Sequence, residues 1–255
     1  MLERFGMNES KPVRTPMVSV NYSGDVSETN KNKTHPYRQA IGSLLYLSNG
    51  TRPDITYAVN VLSRKQVNFD LNDWVQVKRV FRYLKGTLDY GLKYKSEKND
   101  LECYVDASLG MNDEAGKSTS GLVIMLFGDV IYWRSKKQSH VALSSSEAEY
   151  IAMSLACKEL TCYREMCRRL IKFEVVPTLY EDSNAAIKLA KSEESKALKH
   201  IVKLCYHYVR LEVANKNLII KWVSTKEQLA DILTKALGYS VFEKLRNSLI
   251  AKNDD

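Results

Sequence analysis

The hydrophobic period of this chain changes once, just after Gly91, and that change decides what it can fold into. Before it, apolar residues recur at helical spacing. Ala40, Leu44, Leu45 and Leu47 predict one short helix, stopped near Asn49-Gly50. Ile55, Ala58, Val59 and Leu62 predict a second, with Pro53 where a first helical turn accepts it. Trp74, Val77, Val80, Phe81 and Leu84 line one side of a third, over about 70–85, which Gly86 ends. Its other side carries Lys78, Arg79, Arg82 and Lys85, a pattern that suits a solvated face. After Gly91 the period becomes two. Strands are predicted over 92–95 and 101–106, and a hairpin over 119–127 and 130–134 turns at Gly128-Asp129. An extended piece at 140–143 leads into Ser144-Ser145-Ser146 and a long helix, about 146–171. A strand at 177–181, helices at 184–191 and 198–214, a strand at 218–223 and helices at 227–236 and 240–250 complete the order. From residue 101 on, three strands, helix, strand, helices, strand, helices is the order of an α/β protein. It suggests a mixed sheet with an antiparallel side and helices packed on its faces.

The rest of the composition narrows the class. Residues 19–35 are polar and read as a surface loop or linker. No stretch approaches about 18 consecutive apolar residues, and the first residues lack the apolar core of a signal peptide. The expectation is a soluble intracellular protein, cytoplasmic or nuclear, with no membrane partner. The 5 cysteines are odd in number and contain no Cys-x-x-Cys pair, so neither a disulfide framework nor a zinc site is indicated. Cys157, Cys162 and Cys167 lie on the long helix and read as small core residues. The net charge of +8 suits a polyanionic partner without requiring one.

Four acids fall at the ends of predicted elements. Asp106 ends the alternating strand Leu101-Glu102-Cys103-Tyr104-Val105-Asp106, where Asp106-Ala107-Ser108 also suits a turn opener. Glu149 lies within the apolar arc of the long helix, and Glu147 lies outside it. An acid on a core-facing arc costs free energy unless something pairs with it. Both Ser144 with Glu147 and Ser146 with Glu149 have capping-box spacing; if the first pair caps, Glu149 is available to a site. Glu159 also leans inward but lies roughly 15 Å further along the axis. Asp182 sits at a strand-to-helix junction, where Asp is a favoured N-cap. Asp231 falls outside the apolar arc of Leu229, Ala230, Ile232 and Leu233, so its local pattern is that of a solvent-facing acid. A set of such carboxylates suits phosphodiester hydrolysis, in which two divalent ions about 4 Å apart generate a nucleophile and relieve charge on the leaving oxygen. Hard oxygen ligands favour Mg²⁺ or Mn²⁺.

Blocks running through the chain carry a resemblance. Residues 101–238 are similar to the ribonuclease H domain of copia-type LTR retrotransposon Pol polyproteins. The blocks are Tyr104-Val105-Asp106-Ala107, Lys117-Ser118-Thr119-Ser120-Gly121, Trp133-Arg134-Ser135-Lys136-Lys137-Gln138, Ala142-Leu143-Ser144-Ser145-Ser146-Glu147-Ala148-Glu149-Tyr150, Glu181-Asp182-Ser183-Asn184-Ala185-Ala186-Ile187, Lys199-His200-Ile201 and Gln228-Leu229-Ala230-Asp231-Ile232-Leu233-Thr234-Lys235-Ala236-Leu237. Residues 1–95 are similar to the end of the preceding reverse transcriptase and its connection, through Gly42-Ser43-Leu44-Leu45-Tyr46-Leu47, Thr51-Arg52-Pro53-Asp54-Ile55 and Arg82-Tyr83-Leu84-Lys85-Gly86-Thr87. The resemblance implies a ribonuclease H-like mixed five-stranded sheet flanked by helices, preceded by a mainly helical reverse-transcriptase connection segment. The implied division is 1–95, 96–238 and a C-terminal helix and tail at 239–255. It also implies cleavage of the RNA strand of RNA–DNA hybrids with two Mg²⁺ or Mn²⁺ ions, held by Asp106, Glu149, Asp182 and Asp231. Where copia-type sequences often read Asp-Ala-Asp-Trp, this chain has Asp106-Ala107-Ser108-Leu109. The paired-Asp motif of the polymerase is not among these residues, so polymerase activity is not expected of this fragment. The remaining reverse transcriptase domain is an expected partner. The contrasting reading is a catalytically inactive retrotransposon remnant, or a host-adopted nucleic-acid-binding protein.

The predicted helix 198–214 offers a face for substrate. Lys199, His200, Lys203, His207 and Arg210 lie within about 100° of one another. With Lys136 and Lys137 they would hold backbone phosphates, which give affinity without sequence readout; a solvated face is the alternative. Changing Lys203 and Arg210 to Ala is expected to weaken hybrid binding and flatten its salt dependence. Unchanged binding in a salt titration would discard the assignment.

Overall fold

The computed structural model describes residues 1–18, 35–110, 116–192 and 200–253, with 200–206 described by their backbone. The elements in chain order are α1 (Tyr37–Gly50), α2 (Thr56–Ser63), α3 (Leu71–Lys85), β1 (Tyr90–Gly91), β2 (Leu101–Ser108), β3 (Thr119–Leu126), β4 (Asp129–Lys137), α4 (Ser145–Leu170), β5 (Thr178–Glu181), α5 (Asn184–Lys191), α6 (His200–Ala214), β6 (Ile219–Trp222), α7 (Tyr239–Leu249) and β7 (Ala251–Lys252). They form two compact units, one of residues 1–92 with 235–255 and one of residues 93–234.

The first unit is helical, as the 3.6-residue period requires. Its core holds Ile41 and Leu44 of α1, Val59 and Leu62 of α2, Val77, Val80 and Phe81 of α3, and Phe242, Leu245 and Leu249 of α7. A reciprocal capping box starts α3: the Asp73 N–H donates to Asp70 Oδ1 (2.8 Å) and the Asp70 N–H to Asp73 Oδ2 (3.0 Å). The basic side of α3 is not simply a solvated face. Arg79 donates to Thr15 Oγ1 (2.9 Å) and Arg82 to the Lys11 carbonyl (2.7 Å), so two of its cations tie down the N-terminal segment. Residues 92–95 are not a strand; only Tyr90–Gly91 pair, antiparallel with β7.

A buried polar knot sits in the Thr51-Arg52-Pro53-Asp54-Ile55 block. Arg52 forms two bonds to the Asp54 carboxylate (2.9 and 2.8 Å) and two to Thr87, at its carbonyl (2.9 Å) and hydroxyl (2.6 Å). The Tyr83 hydroxyl donates to Asp54 Oδ2 at 2.6 Å.

The second unit contains the mixed five-stranded sheet expected of the resemblance, in the order β4-β3-β2-β5-β6. The β4-β3-β2 side is antiparallel and the β2-β5-β6 side parallel. The β3–β4 hairpin turns at Phe127 and Gly128, both at positive φ (57° and 89°), as a tight two-residue turn demands. One sheet face carries Cys103, Val105, Leu122, Ile124, Leu179 and Ile220 into a core shared with Ala148, Ala152, Met153, Ala156 and Leu160 of α4. The run of alanines lets α4 lie close to the sheet. Cys157 and Cys167 are buried, but Cys162 is exposed; a step of five residues turns about 140° on a helix, so the three cysteines cannot share a face.

The predicted helix at 227–236 is absent. In its place two short 3-10 turns, Thr225–Glu227 and Leu229–Leu233, follow β6.

Candidate active site

β2 delivers Asp106, which is 3% exposed, and α4 delivers Glu149, which is 8% exposed. Asp182 stands immediately after β5. Local hydrogen bonds leave these carboxylates outside the helix caps. Ser144 caps α4 by accepting from the Glu147 N–H (3.1 Å), and Glu147 accepts in turn from the Leu143 N–H (2.8 Å). Glu149, two residues on, is therefore spared. Ser183, not Asp182, caps α5, through a bond from the Ala186 N–H (3.3 Å). Glu159, nearly three turns further along α4, pairs with Arg134 at 3.0 Å.

One carboxylate oxygen from each of Asp106, Glu149 and Asp182 lies within 4.8 Å of the other two. Like charges that close oppose ionisation. Burial first, then the charges of Asp106, Glu181 and Asp182, push the Glu149 carboxyl up to about 10. Glu181, fully buried on the last position of β5, is likewise driven far above the carboxylate range, by burial and by Asp182 and Asp106. One of its oxygens accepts from the Ser183 N–H (2.9 Å). Asp182 is held from β6 and beyond: Thr225 Oγ1 donates to its Oδ2 (2.7 Å) and the Trp222 indole N–H to its carbonyl (3.1 Å).

Asp231 is 4% exposed, not solvent-facing. It rides on the 3-10 turn Leu229–Leu233, which packs on β2 and β3. It lies outside the three-acid group just described. Four residues that the local patterns did not mark hold this corner together. Gln138 donates to Ser120 Oγ and to the Ala148 carbonyl (both 2.9 Å), joining β3 to the start of α4. Gln228 donates to the Val105 carbonyl (2.9 Å), beside Asp106. Thr234 Oγ1 donates to Asp106 Oδ2. Gly121 pairs across the ladder with Asp106. Glu181, likewise unmarked, had a readable signal: with Leu179 it points to the apolar face of β5, as Glu149 does on α4.

The site suits a divalent cation. Glu149 Oε2 and Glu181 Oε2 are buried without a hydrogen-bond partner, and a buried unpaired carboxylate is costly. Hard oxygen donors of net negative charge are what Mg²⁺ or Mn²⁺ binds.

The basic residues are less concentrated. Lys136 (exposed) and Lys137 (half-buried) end β4, opposite Ser120 and Thr119. His207 is exposed and Arg210 half-buried on α6. His200 and Lys203 lie on α6 by backbone only, and Lys199 lies outside the described residues. Among the described residues no helix is long and apolar enough to cross a membrane.

No family model matches the chain. Among curated proteins, the retrovirus-related Pol polyprotein from transposon TNT 1-94 of Nicotiana tabacum is 36% identical over 255 residues, covering 95% of this chain and 19% of that protein. The Pol polyprotein from transposon RE2 of Arabidopsis thaliana is 36% identical over 252 residues, 98% of this chain and 17% of that protein. Secreted RxLR effector protein 161 of Plasmopara viticola is 42% identical over 138 residues, 54% of this chain and 97% of that protein. Among solved structures, LC11-RNase H1, isolated from compost, gives a TM-score of 0.41 at 18% identity, covering 57% of this chain and 97% of that one. The chain thus spans less than a fifth of the length of the transposon polyproteins it matches. Its kinship with them runs through both units, and the chain belongs to the family of retrovirus-related Pol polyproteins from transposons.

Proposed function

We propose that this chain carries a ribonuclease H, an endonuclease that cuts the RNA strand of RNA–DNA hybrids by metal-dependent hydrolysis. In this reading residues 96–238 are the nuclease domain, 1–95 the tail and connection of a reverse transcriptase, and 239–255 a C-terminal helix and tail. The observation that carries it is the convergence of Asp106, Glu149 and Asp182 within 4.8 Å on a mixed sheet, in a chain of Pol kinship. Asp106, Glu149 and Asp182 would hold the ions, with Asp231 joining from the adjoining turn. Two Mg²⁺ or Mn²⁺ ions would supply a hydroxide nucleophile at neutral pH and charge relief on the leaving 3′ oxygen. The acids would orient and charge-balance the ions, and the ions would supply the attraction for the scissile phosphate that the carboxylates alone cannot. Lys136, Lys137, His207 and Arg210, with Lys199, His200 and Lys203, would hold flanking phosphates. The remaining reverse transcriptase domain is the proposed protein partner. The test is cleavage of an end-labelled RNA–DNA hybrid with Mg²⁺. Activity no greater than that of Asp106→Asn would leave a remnant or a binding protein.

Metal binding has a thermodynamic signature of its own. The Glu149 carboxyl is raised from the ordinary range to about 10. A raised acid stabilises the fold fully below its unfolded value, and that contribution is lost as pH rises through the folded value. Without metal, stability should therefore decline between the ordinary carboxylate range and about pH 10. A divalent ion displaces the proton, so metal stabilisation should grow over the same window. Melting curves with and without Mn²⁺ at pH 5.5 and 8.5 are expected to show a larger shift at the higher pH, absent in Glu149→Gln. Equal shifts at both pH values would count against the site.

A further inference from the structure

The 3-10 turn Leu229–Leu233 is seated on the sheet at one rung, the rung that carries Asp106. β3 places Gly121 opposite Asp106. A Cβ at Gly121 would lie 2.7 Å from Thr234 Cγ2, 2.9 Å from the Ala230 carbonyl oxygen and 2.9 Å from Leu233 Cβ. A backbone oxygen and a Cβ cannot swing aside as a side-chain tip does, so the turn can sit this low only over glycine. Gln228, fully buried, fixes the front of the turn by donating to the Val105 carbonyl (2.9 Å) while its own oxygen accepts from the Ala230 N–H (3.3 Å). Thr234, 1% exposed, closes the turn, and its hydroxyl meets Asp106 Oδ2 and the Asp231 carbonyl (3.2 Å).

An aspartate carboxylate turns easily about its last bond, because that torsion has a broad, two-fold profile. Beside Glu149 and Asp182, repulsion would favour turning away. A threonine hydroxyl is a suitable brace, since β-branching stiffens its χ1 and the seated turn fixes its backbone. We infer that Thr234 is a positioning residue for the metal site: its hydroxyl fixes the orientation of the Asp106 carboxylate, and Gly121 provides the room that lets it do so. The inference rests on the metal-site reading above and adds to it the residues that aim the first ligand.

Mn²⁺ titration of the full chain by calorimetry, without nucleic acid, tests it. Thr234→Val keeps the branched shape and removes the donor; it is expected to weaken Mn²⁺ binding about 10–100-fold, the usual range for losing a partner of a metal ligand. Thr234→Ser keeps the hydroxyl and is expected to stay near the wild type. With hybrid substrate, the Val variant should lose kcat and keep KM. Equal losses in Val and Ser, or no loss in Val, overturn the inference. Gly121→Ala keeps the threonine but lifts the turn that carries it, and it too should weaken Mn²⁺ binding. If Thr234→Val does not fold by circular dichroism, unchanged Mn²⁺ affinity in Gly121→Ala overturns the inference instead. A wild type that binds Mn²⁺ with this pattern but cleaves no hybrid supports the positioning role and removes the nuclease reading. A wild type that binds no Mn²⁺ removes both.

Discussion

Asp106→Asn and Glu149→Gln should each reduce hybrid cleavage at least about a hundredfold, since losing a partner one shell further out costs metal sites 10–100-fold. Both substitutions keep the side-chain shape and replace an ionisable carboxyl by a neutral amide that is a poor metal ligand. They should differ in stability. Burial and like charges push the Glu149 carboxyl up to about 10, so near pH 7 the metal-free acid must take up a proton on folding, a cost the neutral amide does not carry. The metal-free Glu149→Gln protein is expected to melt above the wild type while losing activity. Asp106 accepts from Thr234, and an amide nitrogen turned toward that hydroxyl would break the bond, so Asp106→Asn should gain less. Single-turnover cleavage and metal-free melting curves read the two effects separately. Cleavage by either variant within about threefold of the wild type is incompatible with a ligand role, which predicts a far larger loss.

Asp54→Ala should destabilise the first unit by about 3–5 kcal/mol, the range for removing one member of a buried ion pair. The Arg52 and Asp54 side chains are 7% and 0% exposed. Burial alone would push the Arg52 guanidinium down; Asp54, with Tyr83, more than reverses this. Without Asp54, Arg52 is a buried cation left with its two bonds to Thr87 and its place over the Tyr83 ring. Tyr83 also loses the acceptor of its hydroxyl. Amide hydrogen exchange is the suitable measurement, because two units need not unfold as one transition. Protection in α2 and α3 should fall, with the amides of β2 and β3 as the internal reference. Unchanged protection in α2 and α3 would refute the assignment. The family-like block Thr51-Arg52-Pro53-Asp54-Ile55 would then need another reason for its sequence.

How far the sequence could be read varies with the physics of each segment. α3 was legible because Trp74, Val77, Val80, Phe81 and Leu84 keep one helical period and a glycine ends it. The α4 arc was legible for the same reason, and with it the inward placing of Glu149. The 3-10 turn Leu229–Leu233 was not. Four apolar residues around one acid fit a helix arc that leaves the acid outside, whereas seating over Gly121, with Gln228 and Thr234 holding the two ends, gives another geometry. Asp231 is buried by that tertiary contact, which no local pattern encodes. Asp182 was ambiguous because Asp182 and Ser183 both suit a cap; the chain uses the serine. Cys162 is exposed because its place on the helix is turned about 140° from Cys157 and from Cys167. Residues 92–95 alternate, yet the Lys95 N–H donates to the Asp129 carboxylate (2.8 Å) instead of a strand partner.

The first unit is assembled from the two ends of the chain, with residues 93–234 between its parts. Its core takes Phe242, Leu245 and Leu249 from α7, with Phe242 edge-on to Tyr83 (5.6 Å) and the Arg246 guanidinium over the Tyr90 ring (4.4 Å). During synthesis these contacts must wait until about 150 further residues have been made, several seconds or more at ribosomal rates. The acid-bearing unit, whose strands and helices are contiguous in sequence, can fold in that interval. Until α7 arrives, α1 to α3 present an incomplete core, and it is there that a chaperone would find its client.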